Sequence, residues 1–542
     1  MTEKIDVITR EVIRGGLEYI AEEMGIILRN AAYSTNIKER MDHSCSLFDE
    51  QGRMIAQAEH IPVHLGAMPL TVKSIMDTFD GEIYPGDSFI LNDPYLGGTH
   101  LPDITIVSVI DYNKEIIGYS VSRAHHNDIG GMVPGSMPGN AIDIFQEGLR
   151  IPPVKIVSKG EMVNDVLNLI MINSRTPKLR KGDLMAQISA NWTGEKRLKE
   201  LIAQKGLKTY QQTVEEILNY SERRFLAILK DFPEIETSAE DFMDSDGNND
   251  DLIKLNVNIK TTKTNFTFDF TGTSPQVQGA INCPYAVTLS GSYYVMRSIT
   301  DPTIPANEGL YRHLTVVAPK GTLLNAKSPA AVVGGNVETS QRIVDTLLKA
   351  FAKIIPDRIP AASQGTMNNI IIGGNDVAGI PFTFYETIGG GSGASIQGDG
   401  VDGIHTNMTN TMNTPIEEIE VRYPLIVEQY AFRENSGGKG QFRGGLGIIR
   451  KFRTLVPVIV SLLGERQKTA PWGLKGGKNG QKGHYYKLTK SGEKVVLASK
   501  TTTTLDTGES IIIQSPGGGA YGKAEKRDKN RIIDDRLDEK LS

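Results

Sequence analysis

Apolar residues in the opening stretch recur every three or four positions: Ile8, Val12, Ile13, Leu17, Ile20, Met24, Ile27, Leu28 and Ala31. That spacing lines them along one face of a long amphipathic helix whose role is packing. After Ser34 the period shortens. Residues 44–48 and 53–57 flank Asp49-Glu50-Gln51-Gly52 and predict a strand, a turn and a returning strand. A short helix is predicted around Val72, Ile75, Met76 and Phe79, with Pro69 near its first turn. Pro85-Gly86-Asp87 then turns the chain into a strand over 88–91. Two β-rich runs, 104–110 and 116–122, are joined by Asp111-Tyr112-Asn113-Lys114-Glu115 and predict an antiparallel hairpin. The start of its first strand then lies beside the end of its second.

From residue 183 to 230 the helical period returns. Leu184, Ile188, Leu198, Leu201 and Ile202 form one stripe; Val214, Ile217, Leu218, Phe225 and Leu229 form another. Gly206 stands between them and predicts a helical hairpin. The acidic run Asp244-Ser245-Asp246-Gly247-Asn248-Asn249-Asp250 carries its Gly fourth, where an EF-hand calcium loop needs it sixth. It reads as a solvated turn between strands. Strands over 255–259 and 265–270 follow, then a helix bearing Val344, Leu347, Leu348 and Phe351. From residue 431 short strands alternate with Gly-rich turns as far as Tyr521. The last twenty residues, 13 of them charged, read as a solvated tail or a weak docking segment. The expected fold class is α+β and multi-domain, with mixed and antiparallel sheets, a helical hairpin and a largely β C-terminal unit. The expected regions are 1–235 with the helical hairpin, a central α/β region 236–430, a β-rich region 431–522 and the charged tail 523–542.

Charge narrows the range of partners. The 542 residues hold 59 Lys and Arg against 64 Asp and Glu, a formal net charge of −5. That balance argues against a broad nucleic-acid or anionic-membrane surface. Two cysteines far apart, Cys45 and Cys283, exclude a disulfide framework and a CxxC metal site. The opening residues lack the apolar core of a signal peptide, and no run approaches about 18 apolar residues. The chain is expected in the cytoplasm. Gly-rich stretches at 388–394 and 514–522 lack the Lys and Ser/Thr of a phosphate loop, and read as tight turns or contacts.

Histidine placement singles out the N-terminal region. Six of the nine His fall within the first 126 residues: His43, His60, His64, His100, His125 and His126. The predicted hairpin sets His100 and Asp103 at one strand entrance and His125 at the adjoining exit. Pro102 disfavours a helical reading of His-x-x-Asp. Imidazole nitrogens and a carboxylate converging in this way suit a divalent first-row metal with open positions for water. Asp42, at the mouth of the earlier hairpin, is the candidate second carboxylate. Glu39, close by in the chain, is a candidate for proton transfer. Cys45 reads as a small buried hydrophobe.

At these residues the chain resembles the hydantoinase B/oxoprolinase family. The shared motifs are Asn92-Asp93-Pro94-Tyr95 running into Gly98-Thr99-His100-Leu101-Pro102-Asp103, then Arg123-Ala124-His125-His126-Asn127-Asp128-Ile129-Gly130-Gly131. Gly182-Asp183-Leu184, Asp269-Phe270-Thr271-Gly272-Thr273-Ser274, Gly444-Gly445-Leu446-Gly447 and Ser515-Pro516-Gly517-Gly518-Gly519 continue the family order. The resemblance implies a metal, zinc or manganese, on Asp42, His100, Asp103 and His125. It implies that ATP is handled by a larger partner subunit of the hydantoinase A type with an actin-like fold, in a hetero-oligomer. His126 and Asp128 are then candidates to bind a second metal, orient the ligands or move protons. The implied activity is metal-hydroxide opening of a small cyclic amide activated by phosphorylation in the partner. A subunit of an acetone-type carboxylase and a non-catalytic scaffold for the ATPase are the alternatives.

Overall fold

A computed structural model describes residues 5–58, 60–64 and 66–541. The first helix spans Val7–Ala31, and the Asp6 carboxylate caps it by accepting from the amides of Ile8 and Thr9. Ile13, Leu17, Ile20, Met24 and Leu28 form its buried stripe. They pack on a seven-stranded antiparallel sheet built from β1 (His43–Asp49), β2 (Met54–Ala58), β3 (Ser88–Leu91), β4 (Asp103–Tyr112), β5 (Glu115–His125), β6 (Val154–Ser158) and β7 (Glu161–Met162). The strand order is β2-β1-β5-β4-β3-β6-β7.

Both faces of this sheet are covered, which is why all of β1 is buried. Along β4, Ile104 and Ile106 pack with Leu184 and Ile188 of a long helix, Pro177–Lys205. Val107 and Val109 point the other way into the main core, with Phe89, Leu91 and Val121. The helical hairpin is completed by Leu207–Asp231, and Gly206 takes the break with φ 85°.

Beyond the main core lies a second layer, β8 (Glu236–Met243), β9 (Ile253–Thr261), β10 (Phe266–Asp269) and β11 (Leu314–Val317), ordered β11-β10-β9-β8. Helices Tyr285–Ile299 and Ser340–Ala352 seal it, placing Val287, Leu347 and Phe351 against Phe266 and Phe268. The C-terminal part is a β-sandwich. One sheet has the order β13-β12-β16-β19 and the other β14-β15-β20-β17-β18. These strands are β12 (Asn369–Asn375), β13 (Pro381–Glu386), β14 (Leu425–Arg433), β15 (Gly447–Thr454), β16 (Val458–Leu463), β17 (His484–Leu488), β18 (Lys494–Leu497), β19 (Lys500–Leu505) and β20 (Ser510–Gln514). Phe384, Phe452, Val460, Leu462, Ile511 and Ile513 fill the space between the two sheets. β12 and β13 lie before residue 431, so the sandwich draws in chain from the central stretch.

The Gly-rich stretches pack backbone against backbone. The amide of Gly391 donates to Pro516 O, that of Gly445 to Ser392 O and that of Gly518 to Gly445 O. A β-carbon on Gly391 would stand 1.9 Å from Gly445 O, and one on Gly518 1.9 Å from Ser392 O. Only glycine permits such approach.

Two expectations are corrected. The acidic turn does join two strands, but only its second half, 248–250, is solvated. Asp244 is 1% exposed, and its carboxylate accepts from the amides of Gln467 (2.6 Å), Lys468 (3.1 Å) and Thr469 (3.1 Å) and from the Thr469 hydroxyl (3.0 Å). The charged tail likewise is no free segment, since it forms a helix, Lys529–Leu537. Its Asp535 is buried against Arg443 and Arg527, because two guanidinium partners offset the cost of burying a carboxylate. Among the described residues, no helix is long and apolar enough to cross a membrane. Asp244→Ala, which strips three amides and a hydroxyl of their acceptor, is expected to cost about 2–4 kcal/mol in urea-monitored unfolding.

Candidate metal centre

One end of the first sheet gathers the expected residues. The ladder between β4 and β5 pairs Asp103 with His125, and β1 flanks β5 on its other side with His43 opposite Ala124. The His125 amide donates to Asp42 O at 3.1 Å. His100 is delivered by the loop before β4. Asn92 folds that loop, donating to Leu101 O and Leu149 O and accepting from the Ile151 amide. Gly97 turns it with φ 95°, at a position where a β-carbon would stand 2.6 Å from Leu70 O. The Asn-Asp-Pro-Tyr and Gly-Gly-Thr-His motifs are thus a scaffold for one imidazole.

His100, Asp103 and His125 each offer a ligand atom within 4.8 Å of the others, and all three are buried. His100 Nδ1 lies 2.9 Å from Asp103 Oδ2, which also accepts from the Thr99 hydroxyl at 2.5 Å. Asn336 Nδ2 stands 3.0 Å from His100 Nδ1 and 3.3 Å from Asp103 Oδ2. On the other flank Asn36 Nδ2 donates to His125 O at 2.8 Å and lies 3.0 Å from its Nδ1. The Nε2 atoms of His100 and His125 are buried and have no hydrogen-bond partner. Burial on its own would raise the Asp103 carboxyl, but the charge of His100, its hydrogen bond and the nearby His64 hold it well below the usual range. Burial, and then the charge of His100, push His125 well below the ordinary imidazole value. A buried carboxylate beside two imidazoles whose Nε2 atoms have no partner is a donor set that suits a divalent cation.

Asp42 lines the same small cavity as Asp103 and His125, outside the 4.8 Å group. Burial raises its carboxyl; Arg40 opposes the rise and Asp103 adds to it. His64 also lines this cavity. Its Nδ1 is 2.9 Å from the Ser44 hydroxyl and its Nε2 3.7 Å from Asp103 Oδ2. Tyr385 stacks on His125 at 4.5 Å between ring centroids, with its hydroxyl on Asn369 Oδ1.

A model of hydantoinase B/oxoprolinase matches residues 6–524. The chain belongs to the hydantoinase B/oxoprolinase family. An uncharacterised protein of Methanocaldococcus jannaschii is 46% identical over 99% of this chain and 94% of its own length. The putative B subunit of a D-/L-hydantoinase from a Pseudomonas species is 36% identical, over 99% of this chain and 93% of that one. 5-Oxoprolinase 1 of Arabidopsis thaliana is 38% identical over 95% of this chain, which spans 42% of that longer protein. Among solved structures, the ATP-dependent caprolactamase of Pseudomonas jessenii superimposes with a TM-score of 0.93 at 29% identity, covering 100% of this chain and 95% of the other. An acetone carboxylase, at 18% identity, has a TM-score of 0.90 over 98% of this chain and 78% of its own, a likeness of fold. Both structures share the α+β architecture described above.

Within this family member, three residues expected near the chemistry stand apart from the cluster. His126 follows His125 and faces the opposite side of the sheet, where its Nε2 meets Gln187 Oε1 at 2.7 Å. Both oxygens of Asp128 accept bonds that fasten its own loop, from the amides of Gly130, Gly135 and Arg175 and from Arg175 Nη1. Glu39 is half-buried at the end of the short helix Thr35–Lys38 and does not line the cavity. Conversely, the sequence carried no assignment for Asn36, His64, Asn336 or Tyr385. His64 stood out only as one of a cluster, and nothing local marks Asn336 as a neighbour of a residue 236 positions away.

Asn336 is held from below. Glu147 is buried, and its Oε1 accepts from the amides of Val332 (2.7 Å) and Val333 (2.9 Å), at the start of the segment that carries Asn336. Burial pushes this carboxyl up to about 8, against those two amides. Between its ordinary value of 4.5 and about 8 the unfolded chain gives up the proton while the folded chain keeps it. Glu147 therefore contributes stability below that window, and the contribution is lost as pH rises through it. Glu147→Gln, neutral throughout, is expected to gain stability relative to the native chain between pH 5 and pH 8, on the order of 4 kcal/mol in paired urea titrations.

Proposed function

We propose that the chain is the B subunit of an ATP-dependent cyclic amide hydrolase of the hydantoinase/oxoprolinase type. In this reading His100, Asp103 and His125, with Asp42, hold a divalent cation, zinc or manganese. The observation that carries it is the pair of buried imidazole Nε2 atoms, unpartnered, beside a carboxylate kept ionised by its neighbours. The names of the relatives, a 5-oxoprolinase and a hydantoinase component, and that of the caprolactamase supply the reaction class.

An unstrained lactam resists hydrolysis because nitrogen donates into its carbonyl. ATP bound by a larger, actin-like partner subunit phosphorylates the carbonyl oxygen and removes that resistance. Water adds to the activated carbon, the C–N bond breaks, and a second water releases phosphate from the acyl group. The sum is ring, ATP and two waters to an amino acid, ADP and phosphate. A divalent cation in this site lowers the pKa of water and polarises carbonyl oxygen. The residues of this chain set the stage. Asp103 anchors His100, Asn336 and Asn36 fix the two imidazoles, and Tyr385 covers the face of His125. Asp128 and His126 act through backbone position, the one fastening the loop after β5 and the other tying the strand end to Gln187.

The complex of this chain with its ATP-binding subunit is expected to contain stoichiometric zinc or manganese and to open a cyclic amide only with ATP. His100→Ala should hold less than a tenth of that metal and lose ring opening, with circular dichroism unchanged. Full metal content in the variant, or ring opening by metal-free complex, would overturn the proposal. Bicarbonate-dependent loss of a ketone without ring opening would place the chain among carboxylases instead.

A further inference from the structure

Two imidazoles line the cavity at the metal centre, His125 and His64. His64 is 1% exposed and ends the turn Pro62–His64, which follows β2. Chain on both sides of this turn is pinned. The Ile61 amide donates to Ser44 Oγ of β1 at 3.3 Å, and the Gly66 amide to Ser290 Oγ of the helix Tyr285–Ile299 at 2.8 Å. A β-carbon on Gly66 would stand 2.6 Å from Ser290 N, so the chain is seated directly on that helix. His64 is thus built into the wall.

The two ring nitrogens of His64 have different surroundings. Nδ1 lies 2.9 Å from Ser44 Oγ, and by donating to that oxygen it leaves the lone pair on Nε2. A ligating imidazole is oriented in the same way, by a bond from its other nitrogen. Nε2 stands 3.7 Å from Asp103 Oδ2, the oxygen that also lies 2.9 Å from His100 Nδ1. A separation of 3.7 Å is too long for a hydrogen bond. It matches two ligands of one ion, because donor atoms each about 2.0–2.2 Å from a shared cation lie about 3–4 Å apart.

We infer that His64 is a further ligand of the divalent cation, through Nε2, an inference that rests on the metal reading proposed above. Like Asp42, His64 lies outside the group whose donor atoms are all within 4.8 Å of one another, so these two side chains complete the set by closing on the ion. With Asp42, His100, Asp103 and His125, the set becomes three imidazoles and two carboxylates. Five donors exceed the four of a tetrahedral zinc site. They suit a six-coordinate cation such as manganese, with one position left for water.

The test strips the full chain with chelator, reloads it with manganese(II), and counts the imidazole nitrogens coupled to the metal by pulsed electron paramagnetic resonance. Three imidazoles are expected in the native chain and two in His64→Ala. The manganese affinity of that variant should fall at least 10-fold in competition with a chelator. Ser44→Ala, which removes only the bond to Nδ1, should keep three imidazoles and weaken binding by about 10-fold. Fewer than three imidazoles in the native chain, or either quantity unchanged in His64→Ala, would overturn the inference and leave the metal centre standing. The native count decides the matter should neither variant fold. A native chain that takes up neither manganese nor zinc would remove the metal reading and this inference together.

Discussion

The backbone ladder that sets Asp103 opposite His125 is the constraint on which the centre rests. Side chains alternate across a sheet, so a slip of one residue would carry His125 to the helical face and His126 into the cavity. β1 locks the same strand from its other side, and the His125 amide is tied to Asp42 O. Three stretches of chain are therefore fixed by main-chain bonds alone, and the gathering of the candidate ligands follows from which face each residue occupies. The loop that carries His100 depends on two glycines whose β-carbons would strike backbone, Gly97 at Leu70 and Gly98 at Asn92.

Burial makes this centre costly. Two imidazoles and a carboxylate lie away from water, with ring nitrogens left unpaired. Such groups destabilise a fold unless something binds them, and a site of this kind is where a protein departs from its own rules of packing. The surrounding supports compensate. Glu147 steadies the start of the segment bearing Asn336. Glu338 accepts from the Met367 amide at 3.1 Å and from Asn369 Nδ2 at 2.9 Å, and Asn369 in turn accepts from Tyr385. Met367 and the tyrosine over His125 thus hang from one buried carboxyl, which burial pushes up to about 8.

The C-terminal sandwich belongs to the same machinery, because Tyr385, Thr387 and Thr411 reach the cavity from its side of the molecule. Arg342 with Glu465 (3.0 Å) and Arg466 with Asp345 (2.5 Å) join the helix Ser340–Ala352 to the loop after β16. Both pairs are buried, and so they are specific rather than merely adhesive: removing one partner strands the other's charge. The glycines around Gly391, Gly445 and Gly518 interlock backbone to backbone within this unit.

Periodicity alone determined the first helix, the hairpin β4–β5, the break at Gly206 and the helical pair around it. Each is a local pattern of apolar spacing or a single residue's backbone freedom. Because antiparallel strands pair by simple alternation, it also brought His100, Asp103 and His125 to one strand end. The mouth of the earlier hairpin suggested Asp42. Three-dimensional packing decided the rest. Asn36, His64, Asn336 and Tyr385 reach the cavity through contacts between elements far apart in sequence, and no local pattern encodes those contacts. Asp244 and Asp535 read as solvated because their neighbourhoods are charged, yet they are buried because distant amides and guanidinium groups meet them. His126 and Asp128 adjoin the centre in sequence but do not line its cavity, since the pleat of the sheet and an arginine in the next loop turn them away.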